Sequence, residues 1–254
     1  MVRGFQSFKE WFLGYENEYT VIGGVACDIL MENAGQEFRA TKDLDMVLMV
    51  EALTPGFVSR FWEYVREAEY EHRNKSSGNV QFYRFTNPKD KSWLYMIELF
   101  SRKPDEVFLS GEPVLTPLRV EDEISSLSAI LLDETYYAFL RAGRIIIDGV
   151  PVLETKHLIP FKAKAYIDNV MRKKNGEQVD SKNIKKHKND VFRLLLMLSD
   201  NETELSLPEY IRNDMLSFIN MMTDEQVDVK ALGGGHLSKD ELLTRLMSVY
   251  GLAD

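Results

Sequence analysis

Apolar residues recur along the first hundred positions in two alternating rhythms. Phe5, Phe8, Trp11 and Phe12 repeat at helical spacing, predicting a helix over 5–16, and Tyr19–Ile22 reads as a short strand that ends on Gly23-Gly24. Val25–Asn33 then resumes a helical pattern closed by Gly35. Leu44–Val50 is a nearly unbroken apolar run, as in a central strand buried on both faces, with Asp43 and Asp45 at its entrance. Phe57, Phe61, Tyr64, Val65 and Ala68 mark an amphipathic helix over 55–72, and Val80–Phe85 and Trp93–Phe100 read as strands either side of Asn87-Pro88.

Beyond the proline-containing stretch from Pro104 to Pro117 the rhythm turns helical. Ser125–Arg141 has helical periodicity, Arg144–Leu153 reads as a hairpin turning at Asp148-Gly149, and helices are expected near Leu158–Lys173, Lys182–Ser199, Pro208–Met222 and Lys239–Tyr250. Gly233-Gly234-Gly235 is a flexible break before the last of them. The expected architecture is α+β: a mixed β-sheet with flanking helices over residues 1–120, then a mostly helical domain over 121–254 that carries the hairpin near 144–153.

Composition narrows the function classes. Among 254 residues, 31 Lys and Arg face 40 Asp and Glu, a formal charge of −9 that argues against a protein coating polyanions along its whole surface. The single cysteine, Cys27, excludes an intramolecular disulfide framework and suits a reducing compartment. No apolar run approaches the ~18 residues of a membrane span, and the first twenty residues lack a signal-peptide core, so a cytoplasmic protein with no membrane association is expected. His72, His157, His187 and His236 lack metal-ligand spacing, which leaves carboxylates as metal ligands. No Walker-type loop and no Gly-x-Ser-x-Gly elbow occurs.

The chemistry concentrates in two stretches, Val21-Ile-Gly-Gly-Val-Ala-Cys and Arg39-Ala-Thr-Lys-Asp-Leu-Asp. Asp43 and Asp45, one residue apart on a strand, point to one face and are able to share a divalent cation. Gly23 and Gly24 lack Cβ atoms and let backbone N–H groups approach a phosphate at the start of the following helix. Glu98, the only charge in Trp93-Leu-Tyr-Met-Ile-Glu-Leu-Phe, is a candidate third carboxylate from an adjacent strand. The bland alternatives are an ordinary turn at the glycines, acids at an exposed strand mouth, and an ion-paired Glu98.

Together Gly23, Gly24, Asp43, Asp45 and Glu98 resemble the signature of the nucleotidyltransferase superfamily. Within it, Arg39-x-Thr41-x-Asp43-Leu44-Asp45 is similar to the AbiEii-type toxin nucleotidyltransferases of type IV toxin–antitoxin pairs. Two helical motifs of that family have counterparts here: Lys162-Ala-Lys-Ala165 after the hairpin, and Lys185-Lys-His-Lys-Asn-Asp190, with His187 where an aspartate is common. The resemblance runs in order from about residue 19 to 198.

It implies a nucleotidyltransferase-like fold and a Mg²⁺-dependent enzyme that moves an NMP from an NTP to an acceptor. Asp43, Asp45 and Glu98 would hold one or two metal ions, and Lys162 and Asp190 would join them as catalytic residues. Gly23, Gly24, Arg39, Thr41 and Lys186 would bind the nucleotide. The implied acceptor is an RNA such as tRNA, with a cognate antitoxin as a protein partner. A small-molecule acceptor, as in aminoglycoside nucleotidyltransferases, and a non-catalytic nucleotide-binding or partner-interaction module of the same fold stay open. Val25 stands where the family often has Thr or Ser, and Lys186 and Asp190, four apart, share a helix face.

Overall fold

The computed structural model describes residues 2–71, 84–100, 133–199 and 202–252. The chain divides into two units, one of Met1–Ile124 with Arg144–Leu153 and one of Ser125–Gly143 with Glu154–Asp254. The expected boundary near 120, the start of the strand expected at Val80 and the first turns of the helix expected from Ser125 lie outside the described residues.

The first unit is built on strands whose alternation separates an aromatic face from an acidic one. Its elements are α1 (Phe5–Trp11), β1 (Tyr19–Ile22), α2 (Gly23–Asn33), β2 (Asp43–Leu48), α3 (Pro55–Glu67), β3 (Arg84–Thr86) and β4 (Met96–Phe100). The hairpin forms as expected, and with α4 (Glu134–Ala142) preceding it in the chain its strands are β5 (Arg144–Ile147) and β6 (Val150–Leu153). Asp148 and Gly149, at φ 51 and 76, make its turn. These strands do not belong to the helical region: they complete a six-stranded sheet of order β3-β4-β2-β1-β6-β5. β6 pairs parallel with β1, and Arg144 fixes β5 there, its Nε donating to Thr20 Oγ1 at 2.7 Å and its Nη2 to the carbonyls of Glu16 and Tyr19.

Residues two apart on a strand share a face, so the ladder registers decide what lies where. Tyr19, paired with Leu48, and Phe85, paired with Ile97, lie on the face that α1 and α3 cover: Phe8 and Phe57 pack on Tyr19, and Phe61 meets Phe85 at 5.2 Å between ring centroids. Phe8, Phe12, Phe57, Phe61 and Tyr64 are buried, each aromatic burial stabilising the unit by roughly 1.5–3 kcal/mol. α3 begins where Thr54 accepts from the N–H of Phe57 and Pro55 takes the first turn. It ends at Glu67, short of the expected His72, which is not described. α1 likewise ends at Trp11, before a turn that leads into β1.

Among the described residues the second unit contains α4 and the α-helices α5 (Thr155–Lys174), α6 (Ser181–Met197), α7 (Glu209–Met222) and α8 (Lys239–Val249). Its core is apolar, with Phe161 and Tyr166 of α5, Phe192 and Leu195 of α6, Met215 and Phe218 of α7 and Leu246 of α8 all buried. α5 runs through Pro160, which has no N–H to offer the carbonyl four residues earlier. That carbonyl, of Lys156, accepts from the hydroxyl of buried Tyr250 at 2.7 Å, so the interruption is hydrogen-bonded from outside the helix. Burial raises the Tyr250 hydroxyl well above its ordinary pKa, which keeps it a donor. A capping box of Ser238 and Glu241 opens α8. Among the described residues no helix is long and apolar enough to cross a membrane.

Candidate functional site

The sheet register assembles the acids. β2 pairs parallel with β4, bringing Asp45 opposite Glu98 and Asp43 opposite Met96, and β3 pairs antiparallel with β4, bringing Arg84 opposite Glu98. On the other side Asp45 is opposite Ile22, the last residue of β1. One transverse row therefore reads Arg84, Glu98, Asp45, Ile22 on the face away from α1 and α3. Asp43 and Asp45 are half-buried on this face, each flanked in sequence by a buried residue of the other face. Glu98 is 8% exposed.

Opposed like charges on neighbouring strands repel. Here Arg84 Nε donates to Glu98 Oε1 at 2.7 Å, so the buried acid carries its counterion with it. Among the described residues no three His, Cys, Asp or Glu side chains are grouped to hold a metal ion. Of the expected three-carboxylate set, Glu98 lies next to Asp45 in the ladder, with its carboxylate on Arg84. Arg84 is the residue that sequence reading passed over. Its signal was a lone cation in an aromatic strand, at a parity that places it with Glu98 rather than with Phe85.

The glycines meet the acids through space. Gly23 has φ +70, and an added Cβ would collide with the Asp45 carboxylate; a Cβ on Gly24 would come within 2.5 Å of Thr41 Oγ1. Both positions therefore exclude larger residues, Gly23 by its backbone as well. Both glycines are buried, and α2 starts at Gly23 itself, two residues before the helix that the sequence predicts. Its N-cap, Ile22, has no capping side chain, and its first turn holds no acid, so the amide donors at this end meet no side-chain anion of their own turn. Cys27 is buried and its thiol donates to the carbonyl of Gly23 at 3.2 Å, a packing role rather than a nucleophilic one. Val25 is wholly buried, so the position after Gly24 offers this turn no hydroxyl.

Arg39 and Lys42, on the approach to β2, lie over the rings of Phe38 and Tyr95 respectively. Arg39 and Thr41 are half-buried, close in sequence to the two aspartates.

The residues expected in the helical region have a different setting. Lys162 of α5 and Asp190 of α6 are 4% and 0% exposed, and Lys162 Nζ lies 3.4 Å from Asp190 Oδ2. Arg193 Nη1 is 3.5 Å from the other carboxylate oxygen. The solvated helix face that is the default reading of Lys162 is therefore not what forms. This geometry gives Lys162 and Asp190 a packing role between two helices, each charge lying against the other in the buried interior. Lys186 and His187, on the same helix, are half-buried.

An uncapped helix start beside two half-buried carboxylates suits a cation and a phosphate together. The donor set on this face fits one divalent cation held by Asp43 and Asp45, the oxygen ligands that Mg²⁺ prefers. A second ion would need Glu98 released from Arg84. No protein-family model matches the sequence, and no curated protein is significantly similar to it.

Proposed function

We propose that this chain is a Mg²⁺-dependent nucleotidyltransferase that moves an NMP from an NTP to an acceptor, as its resemblance to the AbiEii-type nucleotidyltransferases implies. The reading rests above all on the contact of Gly23 with Asp45, which sets the opening turn of α2 against the acidic face of β2. Asp43 and Asp45 would hold the metal. When bound, it would neutralise triphosphate charge.

The rest of the work falls to the chain itself. Amide groups of the α2 start bind phosphate oxygens, and Gly23 and Gly24 leave the space for that approach. Arg39 offsets negative charge from the loop before β2. Arg84, held by Glu98, supplies at the far end of the row positive charge that a second ion would otherwise bring. Glu98 is on this reading a positioning residue. The acceptor oxygen bonds to the α-phosphorus and pyrophosphate leaves, a displacement in which alignment and charge neutralisation carry most of the rate.

By the same resemblance the acceptor is an RNA such as tRNA, with a cognate antitoxin as partner; the aminoglycoside-type alternative keeps the metal face and changes the acceptor. Buried Val25 favours a second reading, a nucleotide-binding module without transferase activity, since the hydroxyl usual at this turn is missing. The deciding experiment is calorimetric titration of the four NTPs with Mg²⁺ into wild type and Asp45→Asn. Metal-dependent binding that falls at least tenfold in the variant is expected. Failure of the wild type to bind any NTP overturns the proposal, and binding without turnover on tRNA or small hydroxyl acceptors selects the module. Growth arrest on expression, relieved by Asp45→Asn, would tie the site to toxin biology.

A further inference from the structure

The second unit contains a cavity of about 650 Å³ lined by one face of α6 and the segment that follows α7. Lys185, Asn189 and Arg193 border it at four-residue spacing, so they form one stripe along α6. Among the described residues the Lys185 ammonium and the Asn189 amide have no side-chain partner, and Arg193 has one, Asp190, on a single guanidinium nitrogen. Asp190 is fully buried and also lies against Lys162, so it anchors Arg193 through one nitrogen of a guanidinium group that lines the cavity.

The remaining charges of the lining are already committed. Lys188 Nζ lies 2.5 Å from Glu225 Oε2 and donates to the Gln226 carbonyl, a neutral pair. Lys239 donates to the carbonyls of Met222, Thr223 and Glu225, filling all three of its N–H bonds at the end of α7. Asp228 accepts from the Ala231 amide. Four cations against two carboxylates leave two positive charges around the cavity, within a chain whose net charge is −9. Val227 and Leu232 add an apolar wall.

We propose that this cavity binds a phosphate monoester with an organic body of about the size of a nucleoside monophosphate. The volume falls in the ~300–1,000 Å³ range of small-molecule sites. A monoester carries about −1.5 to −2 charges at neutral pH, matching the two uncompensated cations, where a carboxylate would match one. Arg193 grips two phosphate oxygens through its planar fork, Lys185 and Asn189 donate to the third and to the ester side, and the apolar wall takes the organic group. The cavity is lined by residues of the second unit alone, and the proposal does not rest on the proposed transferase activity.

The test is calorimetric titration of the full chain, in EDTA to exclude metal-bound nucleotide, with inorganic phosphate, AMP and a short single-stranded RNA as probes. Saturable binding of AMP, tighter than that of phosphate, is expected. Arg193→Gln should weaken it at least tenfold and Lys185→Gln about threefold, while Asp45→Asn leaves it unchanged. Lys185 and Asn189 lie on the surface of α6, so Lys185→Gln and Asn189→Leu carry the test even where Arg193→Gln fails to fold. The proposal is overturned when neither phosphate nor AMP binds the wild type, or when binding survives all three cavity substitutions. Loss of binding in Asp45→Asn, or binding of the RNA alone, also overturns it.

Discussion

In the sheet unit Asp43 and Asp45 stand half-exposed beside a glycine turn, whereas in the helical unit Lys162 and Asp190 are shut away from water against each other. Both sets carry charge in otherwise apolar elements, and both belong to motifs that the resemblance marks as functional. Their surroundings separate them. A half-exposed carboxylate pair beside a helix start with no capping side chain lies where ions from solution can reach it. An ion pair without solvent has its capacity used internally, and its energy is dominated by what happens when one partner is lost.

The largest expected effect follows from that asymmetry. Lys162→Met leaves Asp190 buried without its lysine counter-charge, and it should lower stability by about 3–5 kcal/mol, the usual cost of breaking a buried pair from one side. Adding Asp190→Leu should recover most of the loss, because two packed apolar groups need no solvation. Urea unfolding of the single and double variants measures both. A single variant as stable as wild type would mean that Lys162 is not needed to neutralise Asp190, and would return both residues to the candidates for chemistry.

A second, smaller effect probes the sheet side. Gly23→Ala forces an L-residue into φ +70 and drives its Cβ into the Asp45 carboxylate. The backbone strain alone is about 1–2 kcal/mol, and the displaced carboxylate should abolish metal-dependent NTP binding while far-UV dichroism keeps its helical signal. Wild-type nucleotide binding in Gly23→Ala would break the link between the turn and the acid, and with it the contrast between an open charge site and a closed one.

The acidic face was largely legible in the chain because its geometry is one of period two. Asp43 and Asp45 had to share a face whatever the strand paired with, and Glu98 stood out as the only charge of its segment. What spacing could not supply was register. Whether Glu98 lies opposite Asp45 or a residue away, and whether Arg84 reaches it, depends on pairings between segments distant in sequence. The hairpin was legible from Asp148-Gly149, but its place at the sheet edge was not, since Arg144 bonds to Thr20, 124 positions away. On α6 the four-residue spacing drew attention to Lys186 and Asp190, and the same spacing from Lys185 through Asn189 to Arg193 went unremarked. The lysine beside Asp190 comes from α5, and helix periodicity says nothing about which side chain of a neighbouring helix will arrive.

The smallest expected effect tests whether a partly exposed acid in the helical unit behaves unlike its buried pair. Glu154 sits at the start of α5 with Oε1 2.5 Å from His157 Nδ1, and that hydrogen bond holds its carboxyl below the ordinary range, against the opposing influence of burial. A depressed folded-state pKa means that the stabilisation is present above the unfolded pKa of Glu154 and is lost as pH falls through the folded one. Because the side chain is partly solvated, screening reduces the contribution well below that of the Lys162–Asp190 pair. Glu154→Gln should therefore flatten the acid limb of the stability-against-pH curve while leaving stability at pH 7 only slightly reduced. Thermal unfolding from pH 7 to pH 3 reads the slope. An unchanged acid limb would show that Glu154 adds no measurable linkage, and a loss at pH 7 as large as that of Lys162→Met would show that partial exposure does not distinguish the two pairs.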